Sequence, residues 1–400
     1  MSGWAATSAD KNLADAASAV SGTTPAMSVA IYLHDLRGGG VERQSLIIAE
    51  ELRRHGVDVT LVVHQLRGQL LDQVPPSLRI VDLASPRTLN DVPRLVRFLR
   101  TEQPDILLAN VDLNNIAALL AKAIGLSRTR IVICQHNPIT AGITAQDNWM
   151  YRYVGLAYRL LRPLIDHAIG VSAGVADELV ALGAVSQDRV VTINNPVVGP
   201  DFQTRCDESV EHPWFDQPGY PVFVTAGRLV PEKDHETMLR ALAIHRRTCD
   251  SRLIVFGTGI MMPRLKALVT ELGLAEAVDF QGFHSNVLPY FRRADAFLLS
   301  SSSEGFGNVI VEALGCGTPV ISTRCEHGPA ETLDNGRFGV LVEPQNPDAM
   351  AAAMNEVATL RKRFPIELMR HRALDYSYAA CASRYMALFG ALAPNRAWVA

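Results

Sequence analysis

Several familiar sequence features are missing from this chain of 400 residues. Its six cysteines lie far apart with no C-x-x-C pair, and none of its 11 histidines has H-E-x-x-H spacing. A protein-held metal and a disulfide scaffold are therefore not expected. No apolar run approaches the roughly 20 residues needed to cross a bilayer. The 38 basic and 41 acidic residues nearly cancel, which argues against nucleic acid as a partner.

The amino-terminal segment also lacks the basic start and apolar centre of a signal peptide. We expect a disordered, Ala- and Ser-rich tail over residues 1–26. Several cysteines stand inside apolar runs, where cysteine behaves as a small hydrophobe. A reducing cytoplasm is the compartment that this usage indicates.

Alternating strand and helix patterns fill the chain from residue 28 onward. Near-continuous apolar strands are typical of parallel sheets covered on both faces, and a proline-rich, charged stretch over residues 194–221 interrupts the alternation. The pattern predicts an α/β protein with two Rossmann-like, doubly wound domains and a ligand cleft between them. The predicted parts are a first domain over 27–195, a linker over 196–220, a second domain over 221–375 and a helical segment over 376–400.

The stretch "SSEGFGNVIVE" places Glu304 in a loop beyond the strand "DAFLLS" and Glu312 within the following helix. The backbone amides of residues 306–309 stand at the start of that helix, which favours an anion. Two carboxylates flanking an anion site suit a ligand with hydroxyls at both ends and phosphate in the middle, such as a nucleotide sugar. On spacing alone, ordinary solvated or capping acids remain the alternative.

A second group of residues follows the first strand of the second domain. In "TAGRLVPEKD", Arg228 and Lys233 stand five positions apart across a proline turn. Arginine grips phosphate through two parallel hydrogen bonds, and lysine adds a compact point charge. The pair suits a departing diphosphate, and the alternative is a solvated basic pair beside Glu232 and Asp234.

Together these motifs resemble the retaining GT-B glycosyltransferases of family four. "GRLVPEKD" matches that family's donor-phosphate Arg and Lys, and "EGFGNVIVEALGCGTPVIST" matches its E-x7-E signature. The resemblance also covers "GGGVER", "VSAGVADEL" and "GPAETLDNGRFGVLV", so it spans roughly residues 28–390. It implies that Glu304 contacts the donor hexose and Glu312 the ribose hydroxyls. The donor-binding set that it implies is Gly39, Gly40, Gly227, Gly305, Phe306, Gly307, Asn308, Val309 and Glu312.

Two loops of the first domain fit the same scheme. Gly38, Gly39 and Gly40 let backbone amides approach a ligand at a helix start, although a merely flexible turn would also use them. Neither a G-x-G-x-x-G fingerprint nor a Walker loop is present. His136 in "CQHNPI" follows another strand, where similar transferases carry a histidine near the donor sugar. A structural role for His136 is the alternative.

The resemblance implies transfer of a hexosyl group from a nucleotide diphosphate sugar to an acceptor hydroxyl, with retained configuration, no cofactor and no metal. The catalytic residues that it implies are Glu304, Arg228, Lys233 and His136. The leaving phosphate would accept the acceptor's proton in a front-face reaction. A nucleotide-sugar epimerase or hydrolase on the same fold, and a non-catalytic sugar-nucleotide sensor, remain open alternatives.

The acceptor is expected to be a sugar or a lipid-linked sugar of the cell envelope. Residues 148–166 interleave Trp149, Tyr151, Tyr153 and Tyr158 with arginines, which suits peripheral contact with an anionic membrane. A core-packing helix whose arginines extend to solvent is the alternative. The expected location is the cytoplasm, including the cytoplasmic face of the inner membrane.

Overall fold

Two parallel β-sheets organise the computed structural model, which describes residues 26–85, 87–140, 151–217 and 219–397. The strands are β1 Ser28–Leu33, β2 Asp58–Val63, β3 Arg79–Asp82, β4 Ile106–Asn110, β5 Arg130–Gln135, β6 His167–Gly170, β7 Val190–Thr192, β8 Val222–Ala226, β9 Arg252–Phe256, β10 Val278–Gly282, β11 Ala296–Leu299, β12 Val320–Thr323 and β13 Val340–Val342. The first sheet has the order β3-β2-β1-β4-β5-β6-β7, and the second has the order β10-β9-β8-β11-β12-β13.

Helices connect the strands and cover both sheets. They are α1 Gly40–Arg54, α2 Val92–Thr101, α3 Asp112–Gly125, α4 Tyr151–Leu161, α5 Ala173–Ala181, α6 Phe202–Cys206, α7 His235–His245, α8 Met262–Glu271, α9 Leu288–Arg293, α10 Asn308–Cys316, α11 Pro329–Thr332, α12 Pro347–Asn355, α13 Val357–Arg363, α14 Ile366–Leu374 and α15 Tyr378–Leu392. Within the described ranges, no helix combines the length and apolarity needed to cross a membrane.

The central strands are buried along their whole length, as β4 and β8 illustrate. Such strands read as continuous apolar runs because helices cover both faces. The predicted pair of Rossmann-like sheets is confirmed. The edge strand β3 was missed, since it is only half-buried and its sequence carries no apolar run. The strand order reverses beside β1 in one sheet and beside β8 in the other, and ligand crevices form at such points.

The stretch predicted as a linker contains the short helix α6, which packs against α9 and α10 of the second domain. The Sγ atoms of Cys206 in α6 and Cys316 in α10 lie 3.1 Å apart in the interior. Two glycines lie at the carboxyl end of α10. Gly317 ends the helix with a φ of 76°, whereas Gly315 lies inside it, with no room for a Cβ beside the Phe202 ring.

The carboxyl-terminal residues return to the first domain. Helix α14 packs on α10 in the second domain, whereas α15 packs on α1 in the first. The chain thus crosses between the domains twice, and the crossings lie side by side. Val197 donates its N–H to the Tyr376 carbonyl at 2.8 Å, and Tyr378 donates to the Val198 carbonyl at 3.1 Å. Helix α15 covers Tyr378–Leu392 of the helical segment predicted over 376–400, and residues 1–25 of the tail predicted over 1–26 lie outside the described residues.

Candidate active site

The loops that carry the predicted residues all leave the carboxyl ends of central strands. Lys233 follows β8, Glu304 follows β11 and His136 follows β5. Carboxyl ends of parallel strands share one edge of a sheet. The two sheets therefore present these three residues from the edges at which ligands usually bind in this kind of fold.

Lys233 and Glu304 form an ion pair at this edge. The Lys233 ammonium lies 2.5 Å from Oε1 of Glu304, and the Ser301 hydroxyl donates to the same oxygen at 2.6 Å. The two charged side chains are only 20% and 8% exposed. Removing one partner of a buried pair leaves an uncompensated charge. Each side chain therefore compensates the charge of the other.

Backbone contacts hold the Lys233 turn against the Glu304 loop. Ser302 donates its N–H to the Glu232 carbonyl at 2.9 Å, and the Ser300 hydroxyl donates to the Lys233 carbonyl at 2.9 Å. Asp234 then adopts a left-handed conformation, with a φ of 43°, and caps the start of α7. The ion pair thus stands on loops that are fixed independently of it.

Arg228 lies apart from this pair. Its side chain is 75% exposed, and its ion partner, Glu232, is 3.5 Å away. A contact of this length between exposed groups contributes little to stability. Arg228 is free to reorient toward a ligand, whereas Lys233 is held in place.

The start of α10 has the geometry of an anion site. Gly307 precedes the helix with a φ of 87°, a left-handed conformation that favours glycine. In the first turn that follows it, Ile310 donates its N–H to the Gly307 carbonyl at 2.9 Å, whereas the N–H groups of Asn308 and Val309 have no acceptor within the helix. The Phe306 ring is buried against Tyr376 at 5.2 Å, and the Asn308 side chain accepts from Asn195 at 2.9 Å. At Phe306 the backbone, rather than the buried ring, is therefore what a ligand can reach.

Glu312 faces different charges from those around Glu304. It lies about one turn into α10, which begins at Asn308. Burial raises the pKa of Glu312, and the opposing charges that lower it belong to Arg205 and Arg43. Arg43 comes from α1 of the first domain, so the environment of Glu312 draws on both domains.

His136 is held by Asn110 as a neutral imidazole. Asn110 donates its amide N–H to the Tyr32 carbonyl at 3.4 Å, which turns its Oδ1 toward His136 Nε2 at 2.9 Å. Because that oxygen only accepts, Nε2 carries the ring proton and Nδ1 keeps its lone pair. Burial lowers the pKa of His136 to about 4. At neutral pH this residue can accept a hydrogen bond but carries no charge.

The two domains meet at Gly305. A Cβ atom built on Gly305 would lie 1.9 Å from the His136 carbonyl oxygen. Only glycine permits so close an approach between the Glu304 loop and the His136 loop. The structure therefore brings Lys233, Glu304 and the His136 loop together in one crevice.

The glycine-rich loop of the first domain is partly occupied by its own chain. Gly38 has a φ of 103°, and a Cβ on Gly39 would lie 2.3 Å from Oε2 of Glu42. Glu42 folds back over the start of α1, where burial raises the pKa of its carboxyl group and backbone hydrogen bonds oppose that rise. Beside Gly40 there is open space, with no atom within 4 Å of a built Cβ. Gly39 and Gly40 are both exposed, and the Glu42 carboxylate borders the Gly39 side of the loop.

In the second domain, the carbonyl group of Gly227 packs closely against Gly257. A Cβ on Gly257 would lie 1.8 Å from the Gly227 oxygen, and Gly257 has a φ of 129°. Val309, in the first turn of α10, is partly buried against the core. Both predicted donor residues are thus placed at the edge by tight packing.

Glu331 joins the domains beside the crevice. Its two carboxylate oxygens accept from the Ala173 N–H at 2.6 Å and from the Asn194 amide at 2.8 Å. His327 packs so closely on Gly174 that a Cβ there would lie 2.0 Å from the ring Nδ1. Glu331 and His327 therefore hold this part of the second domain against residues of the first.

Two residues at the edge of the second sheet did not stand out in the sequence. His235 follows the Lys233 turn, is buried, and has no hydrogen-bond partner for Nδ1 in the described part of the chain. Burial and the charge of Lys233 lower the pKa of His235 to about 4. Phe283 is exposed directly beyond β10. The sequence signal for Phe283 was an aromatic residue just past the end of a strand, because an exposed aromatic ring can stack on the base of a nucleotide.

Two protein-family models match this chain. Residues 211–373 match the model described as glycosyl transferases group 1, and residues 38–198 match the model described as Glycosyltransferase Family 4. The first range contains Arg228, Lys233, Glu304 and Glu312, and the second contains His136.

Curated relatives match over most of the chain. The Campylobacter jejuni N-acetylgalactosamine-N,N'-diacetylbacillosaminyl-diphospho-undecaprenol 4-alpha-N-acetylgalactosaminyltransferase is 30% identical over 254 residues, covering 62% of this chain and 67% of that protein. The lipopolysaccharide core biosynthesis glycosyltransferase LpsE of Rhizobium meliloti is 26% identical over 341 residues, covering 82% of this chain and 87% of that protein.

Solved structures match the fold. A glycosyltransferase from Rickettsia africae has a TM-score of 0.74 at 18% identity, covering 92% of this chain and 98% of that one. Anabaena Alr3699/HepE in complex with UDP-glucose has a TM-score of 0.73 at 19% identity, covering 91% of this chain and 100% of that one. At these identities the likeness concerns the fold alone.

Proposed function

The chain belongs to the glycosyl transferases of group 1, and on that premise we propose that it moves a hexosyl group from a nucleotide diphosphate sugar to an acceptor hydroxyl, with retained configuration. The predicted GT-B fold is confirmed by the two parallel sheets and by the structural neighbours. The observation that carries the proposal is the Lys233–Glu304 pair, 2.5 Å apart and seated against the His136 loop.

Each member of this group has a chemical role in the proposed reaction. Lys233, with Arg228 swinging in from solvent, neutralises the departing diphosphate, and the start of α10 adds a favourable dipole. Glu304 binds a hydroxyl of the donor hexose and keeps Lys233 in place. The neutral His136 accepts from a sugar hydroxyl through Nδ1. The leaving phosphate takes the acceptor's proton, so no further base is required.

Relatives support the choice of donor and acceptor. Alr3699/HepE is known in complex with UDP and with UDP-glucose. The name of the Campylobacter jejuni relative specifies a diphospho-undecaprenol substrate, and LpsE is named for lipopolysaccharide core synthesis. We therefore place a uridine diphosphate sugar first among donors and a lipid-linked or envelope sugar first among acceptors, at the cytoplasmic face of the inner membrane.

Helix α4 supports contact with an anionic membrane surface. Val154 and Tyr158 face the core, whereas Leu156 and Leu160 are exposed at helical spacing beside the exposed Arg159. An exposed apolar stripe next to arginines suits an interfacial helix. From the sequence, Tyr158 could contact either the membrane or the core, and in the structure it is a core residue. Trp149 lies outside the described residues. Vesicle flotation with the Leu156→Glu and Leu160→Glu variants tests this contact, since unchanged binding would remove the argument.

The decisive experiment is a donor screen followed by mass analysis of products from lipid-linked and soluble sugar acceptors. The proposal predicts acceptor-dependent transfer of one hexose. Donor turnover without an acceptor would indicate an epimerase or hydrolase, and binding without turnover would indicate a sensor.

The described residues contain no group of three or more His, Cys, Asp or Glu side chains arranged to hold a metal. We therefore expect transfer to continue in excess chelator, and loss restored by Mg²⁺ would contradict that expectation.

A further inference from the structure

Two arginines lie beside each other at the carboxyl edge of the first sheet. Arg37 follows β1 and Arg67 follows β2. Arg37 Nε forms an ion pair with Oδ2 of Asp35 at 2.5 Å, and Arg67 Nε donates to the same oxygen at 3.3 Å. Asp35 is almost completely buried, whereas the arginine side chains are 62% and 51% exposed. One buried carboxylate therefore holds two exposed guanidinium groups together.

The backbone beneath the arginines is fixed. Leu36 donates its N–H to the Arg67 carbonyl at 2.9 Å, and Leu70 donates to the Leu36 carbonyl at 3.0 Å. Gly68 has a φ of 128°, and a Cβ there would lie 2.0 Å from the Leu36 carbonyl carbon. The loops after β1 and β2 are thus joined without help from the arginine side chains, which makes the site preorganised.

The ion pairs leave most of each guanidinium unused. Both arginines bond Asp35 through Nε, and along the described chain no protein acceptor is hydrogen-bonded to their terminal nitrogens. The two guanidinium groups share a single contacting carboxylate, Asp35, although Glu42 also lies close to Arg37. Such a site gains from an anion that spans both groups, because a guanidinium binds phosphate oxygens through two parallel hydrogen bonds.

His34 borders the arginines and is itself supported from below. Its ring stacks on His64 with the centroids 4.6 Å apart, and His64 Nδ1 lies 2.8 Å from the buried Asp91 carboxylate. Glu42, the other acid close to Arg37, is folded over the start of α1. The surface around the arginines therefore offers donors and an aromatic ring to a ligand.

We propose that Arg37 and Arg67 form a subsite for a phosphate or diphosphate group of the acceptor. This inference rests on the proposed function, since it specifies the class of acceptor. The subsite belongs to the first domain, whereas the predicted donor-phosphate residues Arg228 and Lys233 belong to the second. A lipid-linked sugar and a soluble sugar phosphate both carry the required dianion.

The first test is calorimetric titration of the full chain with inorganic pyrophosphate, with the donor site filled by saturating nucleoside diphosphate. We expect wild-type binding that weakens at least tenfold in Arg37→Ala and in Arg67→Ala. Arg79→Ala is the matched control, because Arg79 is an exposed arginine paired with Glu102 at 2.7 Å and begins β3 at the opposite edge of the sheet. Equal binding by all four proteins would overturn the proposal.

Two further variants separate a built site from net positive charge. Asp35→Asn raises the net charge by one, so charge alone predicts tighter binding of pyrophosphate. A built site predicts weaker binding, because the two guanidinium groups lose their common anchor. Arg37→Lys keeps the positive charge but lacks the paired N–H donors of a guanidinium group, so it should also lose most of its affinity for pyrophosphate. Thermal unfolding confirms that each variant is folded, and wild-type binding by Arg37→Lys would contradict the proposal even if Asp35→Asn fails to fold.

A third measurement distinguishes the sources of the phosphate and the role of the site. Glucose 1-phosphate in solution and farnesyl diphosphate in phosphatidylcholine vesicles are titrated separately, and the tighter ligand identifies the source.

If the arginine variants instead weaken nucleoside diphosphate binding and leave pyrophosphate binding unchanged, the arginines serve the donor and the proposal is wrong. Pyrophosphate binding needs no turnover, so a chain that binds it through Arg37 and Arg67 but transfers no sugar would refute the proposed function alone.

Discussion

At the scale of single residues, Lys233 and Arg228 make a matched pair of cations with different surroundings. Lys233→Ala removes the partner of the buried Glu304 carboxylate, so we expect a stability loss of roughly 1.5 to 3 kcal/mol and weaker nucleoside diphosphate binding. Arg228→Ala breaks an exposed 3.5 Å contact, so its stability cost should stay below about 1 kcal/mol while nucleotide affinity falls. Urea unfolding and calorimetry measure both, and equal stability losses would contradict the burial argument.

The two glutamates of the E-x7-E motif should separate by function. Glu304→Gln keeps a hydrogen-bond acceptor but loses the charge that holds Lys233, so the transfer step should slow more than nucleotide affinity falls. Glu312→Gln should mainly weaken nucleoside diphosphate binding, since a carboxylate that accepts from two ribose hydroxyls becomes a poorer acceptor. Single-turnover transfer rates and nucleotide affinities of the two variants test this separation. The reverse pattern would show that Glu304 contacts the ribose and Glu312 the hexose.

The buried histidines predict how stability depends on pH. The pKa values of His136 and His235 are lowered to about 4, below the ordinary value near 6.5, so the unfolded chain binds protons that the folded chain does not. Their contribution is complete above about pH 6.5 and declines as the pH falls toward 4, by about 1.4 kcal/mol per pH unit for each histidine at the steepest. Urea unfolding of His136→Gln and His235→Gln from pH 4.5 to 7.5 should show a shallower decline than wild type. Parallel curves would refute the assignment.

At the scale of elements, the approach of the Glu304 loop to the His136 loop depends on a missing side chain. Gly305→Ala would place a Cβ 1.9 Å from the His136 carbonyl oxygen, so one loop must shift. We expect at least a tenfold loss of the transfer rate with a smaller change in nucleotide affinity. Gly125→Ala is the control, because a Cβ there meets Val96 at an ordinary 3.6 Å. Equal rates in both variants would show that the loop contact is not needed.

The elements differ in how well the sequence predicted them. Buried strands such as β4 and β8 were predicted because a strand that is buried on both faces consists of consecutive apolar residues. The edge strand β3 was missed because a half-buried strand carries no apolar run, and helix α6 was missed because it packs on helices much later in the chain. Lys233 and Glu304 were predicted from separate motifs, but their ion pair joins residues 71 positions apart and left no local pattern. The unpartnered Nδ1 of His235 likewise depends on packing that no motif records.

At the scale of the whole molecule, Glu331 connects the two domains with one carboxylate. Glu331→Gln leaves a single acceptor oxygen for two donors, the Ala173 N–H and the Asn194 amide, and removes a negative charge from the start of α5. We expect a larger radius of gyration in solution scattering without ligand, with the secondary structure retained. Glu326→Gln, at an exposed position in the loop before α11, should match wild type. An unchanged radius in Glu331→Gln would mean that other contacts hold the domains together.

The return of α15 to the first domain has a consequence for protein synthesis. Residues 27–195 emerge from the ribosome first, yet α15, the helix that packs on α1, is synthesised only after the whole second domain. At ordinary elongation rates that interval is on the order of ten seconds. During this time the apolar side of α1 that α15 later covers is open to chaperones and to other nascent chains. The first domain therefore begins folding first and is completed last, and a carboxyl-terminal truncation would harm the amino-terminal half of the protein.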